Sequence, residues 1–174
     1  MLVISSVLMT LSAPSMGTFV RNNRIQSATF SLLRTMHFAR SEAVKRKTRV
    51  VLCRSANATA PTPVCGGSNN IWTTGFLVFA SGDANSTYEA ATDTLLRVAP
   101  AASTGLTLVT NATSNRNLEY NYDGTTNESG GTARFAVCDA RGGAFGLQIE
   151  VTPVGRPALE SGSPASPINC ASPS

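Results

Sequence analysis

The 174-residue chain suits one globular domain plus an appendage, and only 14% of it is charged, with Gly, Ser, Thr, Asn and Ala plentiful. That mix favours a loop-rich secreted or surface β protein over a cytosolic enzyme. The net charge of +4 is split unevenly: Arg21–Arg54 holds nine basic residues against one acid, whereas from Ser55 onward five arginines face nine acids. The pI of 9.2 therefore does not make the whole protein a nucleic-acid binder.

Residues 1–20 carry no charge and would extend about 30 Å as a helix, the thickness of a hydrocarbon core. Ser5, Ser6, Thr10, Ser12 and Ser15 fleck this run with polarity, and Pro14 predicts a kink. No Lys or Arg follows Met1 to form the positive region of a signal peptide. A retained, kinked membrane helix is preferred to a cleaved signal.

Residues 21–48 form the amphipathic half of the same helix. Ile25, Ala28, Leu32, Met36, Ala39 and Ala43 recur at three- and four-residue steps, with Leu33 and Val44 widening the stripe. Arg24, Ser31, Arg34, Ser41 and Lys45 occupy the opposite side. Ala39 and Ala43 are small enough to let a sheet come close. His37 reads as an ordinary helix residue, since no acidic cluster accompanies it. Lys45-Arg46-Lys47 reads as a solvated helix C-terminus favoured by the dipole, in preference to a phospholipid or acidic-neighbour contact.

Residues 49–174 are β-rich. Strands are predicted at Arg49–Ser55, Gly75–Ala80, Thr94–Ala99, Leu106–Val109, Asn117–Tyr122, Thr132–Cys138 and Phe145–Thr152. The loop Ala56–Asn70 and the turn at Asp123–Gly124 carry strong breaker signals. The last two strands, joined by a Gly-rich connection, read as an antiparallel pair. Val154–Pro157 starts a short final segment before a Ser/Pro-rich tail.

Cys53, Cys65, Cys138 and Cys170 contain no C-x-x-C pair, and His37 lies far from them in sequence, which argues against a zinc site. An even count beside an apolar N-terminal segment fits two disulfides formed in an oxidising compartment. Of the three possible pairings, Cys53–Cys65 with Cys138–Cys170 is preferred: the first closes a short Pro/Thr/Gly-rich loop and the second pins the tail. No catalytic motif is visible. A single histidine excludes two-histidine metal motifs, no G-x-S-x-G or Walker-type loop occurs, and Asp83, Asp123 and Asp139 sit in turns. Gly130–Gly131 and Gly142–Gly143 look like hairpin connections rather than phosphate cradles. The chain reads as a non-enzyme without a cofactor.

The segment Val20–Ser55, VRNNRIQSATFSLLRTMHFARSEAVKRKTRVVLCRS, resembles the helix-to-first-strand region of FimT/FimU-type minor type IV pilins, relatives of the GspH minor pseudopilins. Trp72-x-x-Gly75-Phe76-x-Val78-Phe79, Phe135–Asp139 and Val154–Pro157 extend the resemblance over nearly the whole chain. It implies an α+β, type IV pilin-like fold, with a long N-terminal helix packed on antiparallel β-sheet. It implies a bacterial inner-membrane protein with a periplasmic globular domain, drawn later into an extracellular filament beside other minor pilins and the major pilin. Helping to initiate that filament, near its tip, is the leading functional expectation.

Two alternatives stand beside it. One is a GspH-like pseudopilin of type II secretion. The other is a receptor for double-stranded DNA, because some FimT proteins carry a C-terminal Gly-Arg-x-Arg motif. Here that motif is Gly155-Arg156-Pro157-Ala158, with alanine at the second arginine, leaving Arg156, helped by Arg134 or Arg141, as the candidate contacts. The family pattern also has a basic leader, a processing site and an early glutamate. Counting back from Pro14, the resemblance places Met1 just inside the mature helix, so peptidase cleavage and N-methylation are assigned to no residue.

Overall fold

The computed structural model describes residues 2–67, 70–111, 117–128 and 131–172, with side chains from Met16 onward. Pro14 falls within the described backbone but its side chain does not, and residues 68–69 of the first loop and Gly130 of the expected hairpin lie outside the described residues. One helix, α1 (Leu2–Arg46), precedes eight strands. From Met16 to Arg24 every side chain is exposed, and Ile25 is the first to be buried. Beyond it Leu32, Met36, Ala39 and Ala43 are buried, as the periodicity predicts, and Ala28 and Leu33 are half-buried.

Thr29 and Thr35 are also buried. Each satisfies its hydroxyl within the helix, donating to the carbonyl oxygens of Ile25 and Ser31 at 2.8 Å. Val44 departs from expectation: it is 48% exposed. Sheet contact ends with Ala43, and one further residue rotates about 100° away from it, so Val44 lies at the surface near Gly124. The helix stops in a left-handed residue, Lys47 (φ 53°), which lets the Thr48 amide donate back to Ala43 O at 3.2 Å.

The strands form two four-stranded antiparallel sheets. The first has the order β3 (Thr94–Ala99), β2 (Phe76–Ala80), β1 (Val50–Arg54), β5 (Asn117–Tyr120). The second runs β4 (Leu106–Thr110), β6 (Ala133–Asp139), β7 (Leu147–Val151), β8 (Pro157–Ser161). All pairings are antiparallel, including the expected β6–β7 pair, in which Ala133 faces Val151 and Val137 faces Leu147. A 3₁₀ turn, Gly143–Phe145, occupies the Gly-rich connection before β7. Strand β8 begins in the short final segment expected from Val154–Pro157 and runs to Ser161, into what was read as tail. Its proline stands at the first residue of an edge strand, where the missing amide is tolerated.

Alternation along the strands builds three apolar clusters. Val50, Leu52, Phe76, Val78, Phe135, Val137 and Ile149 point inward to Ile25, Leu32 and Met36, so both sheets share the core beneath α1. The intervening residues are buried as well. Val51, Cys53, Leu77 and Phe79 pack with Cys65 and Tyr88 of the connecting segments and with Leu95 and Val98 of the neighbouring strand β3, whereas Val109, Ala136 and Cys138 lie under Ile168 and Cys170 of the C-terminal segment. Strands covered on both faces read as continuous apolar runs, which is why VVLC and FLVFA show no polar alternation. Trp72 fills the shared core, 5.0 Å from Phe135 in an edge-to-face contact.

Candidate functional site

Both disulfides join an outer strand face to its covering loop. Cys53 in β1 bonds Cys65 with Cα atoms 5.6 Å apart, and Cys138 in β6 bonds Cys170 with Cα atoms 6.0 Å apart. Each closes one of the satellite clusters, so these cysteines are structural. Among the described residues no group of three or more His, Cys, Asp and Glu is arranged to hold a metal, and His37 is exposed.

The candidate arginines are not brought together. Arg134 opposes Glu150 across β6–β7, with Nη2 3.1 Å from Oε1. Arg141 lies past the other end of β6, and five residues separate Arg134 from Asp139, about 17 Å of strand. There its Nε donates to both oxygens of Asp139 at 3.1 and 2.9 Å, and its guanidinium covers the Phe145 ring at 4.6 Å. Burial pushes the Asp139 carboxyl up. The hydrogen bonds from the Arg141 side chain and backbone, with the charges of Arg141 and Arg21, outweigh it and hold the group below the usual carboxylate range. Arg156 is exposed, in the turn between β7 and β8, and makes no ion pair among the described residues.

That turn is anchored by a residue the sequence reading gave no role. Arg40, half-buried on α1, donates Nε to Gly124 O at 3.0 Å and Nη2 to Val154 O at 3.2 Å. Gly155 has φ +79°, and a Cβ there would stand 1.9 Å from Gly124 O. The glycine before Arg156 is thus required by close backbone approach as well as by conformation. A single sequence shows Arg40 as one more basic helix residue. Nothing local marks its two carbonyl partners, more than eighty residues away.

The second feature is the projecting helix. Met16, Phe19 and Val20 are 68%, 67% and 45% exposed, and the basic residues Arg21 and Arg24 follow them. Among the described residues no helix is long and apolar enough to cross a membrane. The basic run at the other end of α1 is solvated as expected, with Arg46 Nε 2.6 Å and Lys45 Nζ 3.8 Å from the carboxylate of Glu42. An exposed apolar stretch continuous with a docked helix can pack against other helices or lipid. The sheets present no catalytic constellation in these residues.

Residues 28–155 match the family described as type II transport protein GspH. No curated protein matches the chain. Two crystal structures of the type IV minor pilin FimU from Pseudomonas aeruginosa (strain PAO1) share the fold. In one crystal form the TM-score is 0.60 at 23% identity, covering 82% of this chain and 92% of that one. In the other it is 0.58 at 22%, covering 78% and 91%.

Proposed function

The chain belongs to the GspH family, and from that premise we propose that it is a minor pilin that helps initiate and assemble a type IV pilus. The likeness to FimU over most of both chains supports this reading. In this reading the exposed part of α1 anchors the protein in the bacterial inner membrane with its globular domain in the periplasm, then joins the helical filament core. Its partners are other minor pilins and the major pilin, and its place is near the filament tip. The work is structural, resting on helix packing and disulfide-held sheets with no chemical step.

The observation that carries the proposal is the exposed, apolar Met16–Val20 stretch ahead of a helix half that is docked on the sheets. Deleting the gene and scoring piliation, twitching, transformation and secreted enzymes separately tests it. Loss of piliation and twitching with secretion intact supports the pilus role. Membership of a family of type II transport proteins favours one second reading, a pseudopilin of protein secretion, and selective loss of secreted enzymes would replace the first reading with it. DNA binding rests on Arg156 as the exposed member of the three candidates and is the weaker extension.

A further inference from the structure

The uncharged run of residues 1–20 ends against a pair of exposed arginines, Arg21 and Arg24, of which Arg21 acts on the fold only through its long-range charge on Asp139. Arg21 and Arg24 line one wall of a cleft of about 230 Å³, with Leu106 and Asp139 across from them. Among the described residues neither arginine makes a hydrogen bond or an ion pair. The acid in the cleft already has a partner, since Arg141 holds Asp139 through Nε at 2.9 Å with Nη2 2.9 Å from Oδ2. The cleft therefore keeps the positive charge of two guanidinium groups. Its floor is open as well, because a Cβ added at Gly105 would meet nothing within 4 Å.

Position gives this charge its meaning. Met16, Phe19 and Val20 form an exposed apolar patch on one face of the helix, within about one and a half turns of Arg21. Apolar side chains followed at once by exposed arginines match the boundary between acyl chains and headgroups, where long cationic side chains reach phosphate. A guanidinium pair also suits phosphate oxygens, which accept forked hydrogen bonds.

We propose that Arg21 and Arg24, with the cleft they line, bind the phosphate of an anionic phospholipid headgroup while the helix is in the membrane. This rests on the reading of the chain as membrane-anchored. Headgroup binding would set the depth of the helix and hold the globular domain against the bilayer surface until filament packing covers the apolar patch.

The test uses the full chain, exchanged from detergent into phosphatidylcholine vesicles with or without phosphatidylglycerol, and measures partitioning by flotation. About two charges near an anionic surface give roughly a thirty-fold preference for the phosphatidylglycerol vesicles at low salt. The double variant Arg21→Gln/Arg24→Gln loses that preference but still associates with phosphatidylcholine. Arg34→Gln, also exposed but thirteen residues along the helix and so about 20 Å away, keeps it. Equal partitioning of the wild type into both vesicles overturns the headgroup site while leaving the anchor standing. Association with neither vesicle overturns both. A preference undiminished in the double variant, or lost equally in Arg34→Gln, assigns the effect to general charge and overturns the site.

Discussion

Arg40 Nε donates to the carbonyl oxygen of Gly124 at 3.0 Å, tying the latter part of α1 to the turn that follows β5. The same guanidinium reaches Val154 O at 3.2 Å, so two turns from different sheets close on one side chain. Hydrogen bonds from a charged donor contribute more than neutral ones, and partial exposure reduces that. Arg40→Ala is expected to cost about 1–2 kcal/mol, read as a lower urea midpoint with an unchanged slope. Gly155→Ala should cost more, because its Cβ would meet Gly124 O at 1.9 Å in a left-handed backbone. If Gly155→Ala proves the milder of the two, the junction is looser than this packing implies.

The disulfides should differ in weight. The bonded cysteines are 12 residues apart in one and 32 in the other, and closing the longer loop removes more freedom from the unfolded chain. Chain entropy gives about 3 kcal/mol for Cys53–Cys65 and about 4 kcal/mol for Cys138–Cys170. Chemical denaturation of the two double Cys→Ala variants measures the difference. Limited proteolysis separates their local effects: loss of Cys138–Cys170 should expose the C-terminal segment that covers Val109 and Ala136, whereas loss of Cys53–Cys65 should expose the loop after β1.

Much of this architecture was legible because the helix stripe and the apolar strands carry strong local signals. Ile25, Leu32 and Met36 fall at helical steps and all face the shared core. Two things were not legible. Strand β8 has one half-buried residue followed by four exposed ones, so no burial pattern in ALES distinguishes an edge strand from a tail. The pairing of Arg134 with Glu150 and of Arg141 with Asp139 depends on register and turn geometry. Both looked like free cations until those partners were placed. The Arg40 junction was hidden for a third reason: its acceptors are backbone carbonyls, which leave no mark on side-chain chemistry.

Lys47 gives a direct test of the helix terminus. It holds φ 53° while Thr48 N bonds Ala43 O at 3.2 Å, a geometry in which glycine avoids the Cβ penalty. Its side chain is exposed and makes no ion pair among the described residues. Lys47→Gly is expected to raise stability by about 0.5–1 kcal/mol, the relief of a left-handed lysine less the added freedom of the unfolded chain. A loss of stability on thermal unfolding would show that the lysine side chain contributes more than its backbone costs.

Asp139 should shape the acid side of the stability profile. Burial raises its carboxyl, but the Arg141 hydrogen bonds and charge lower it further, for a net depression from 3.8. A depressed acid stabilises the fold above its unfolded pKa. That contribution declines as pH falls below about 4 and is lost once pH passes the folded value. Asp139→Asn should therefore lower the melting temperature at neutral pH and flatten its fall below pH 4. An equally steep acid decline in the variant would place the controlling carboxylate elsewhere.

DNA affinity, where measurable, should depend on Arg156 and scarcely on the other two candidates. Arg134 and Arg141 already hold Glu150 and Asp139, so placing either on a phosphate requires breaking an ion pair, whereas Arg156 is exposed and has none among the described residues. Each phosphate neutralised changes the slope of log K against log salt by about 0.9. Arg156→Ala should make that slope shallower by roughly 0.9 in gel-shift titrations with double-stranded DNA, and Arg134→Ala and Arg141→Ala should leave it unchanged. Shifts of similar size from all three would mean that the ion pairs open on binding. No shift from Arg156→Ala would remove the turn between β7 and β8 from any DNA contact.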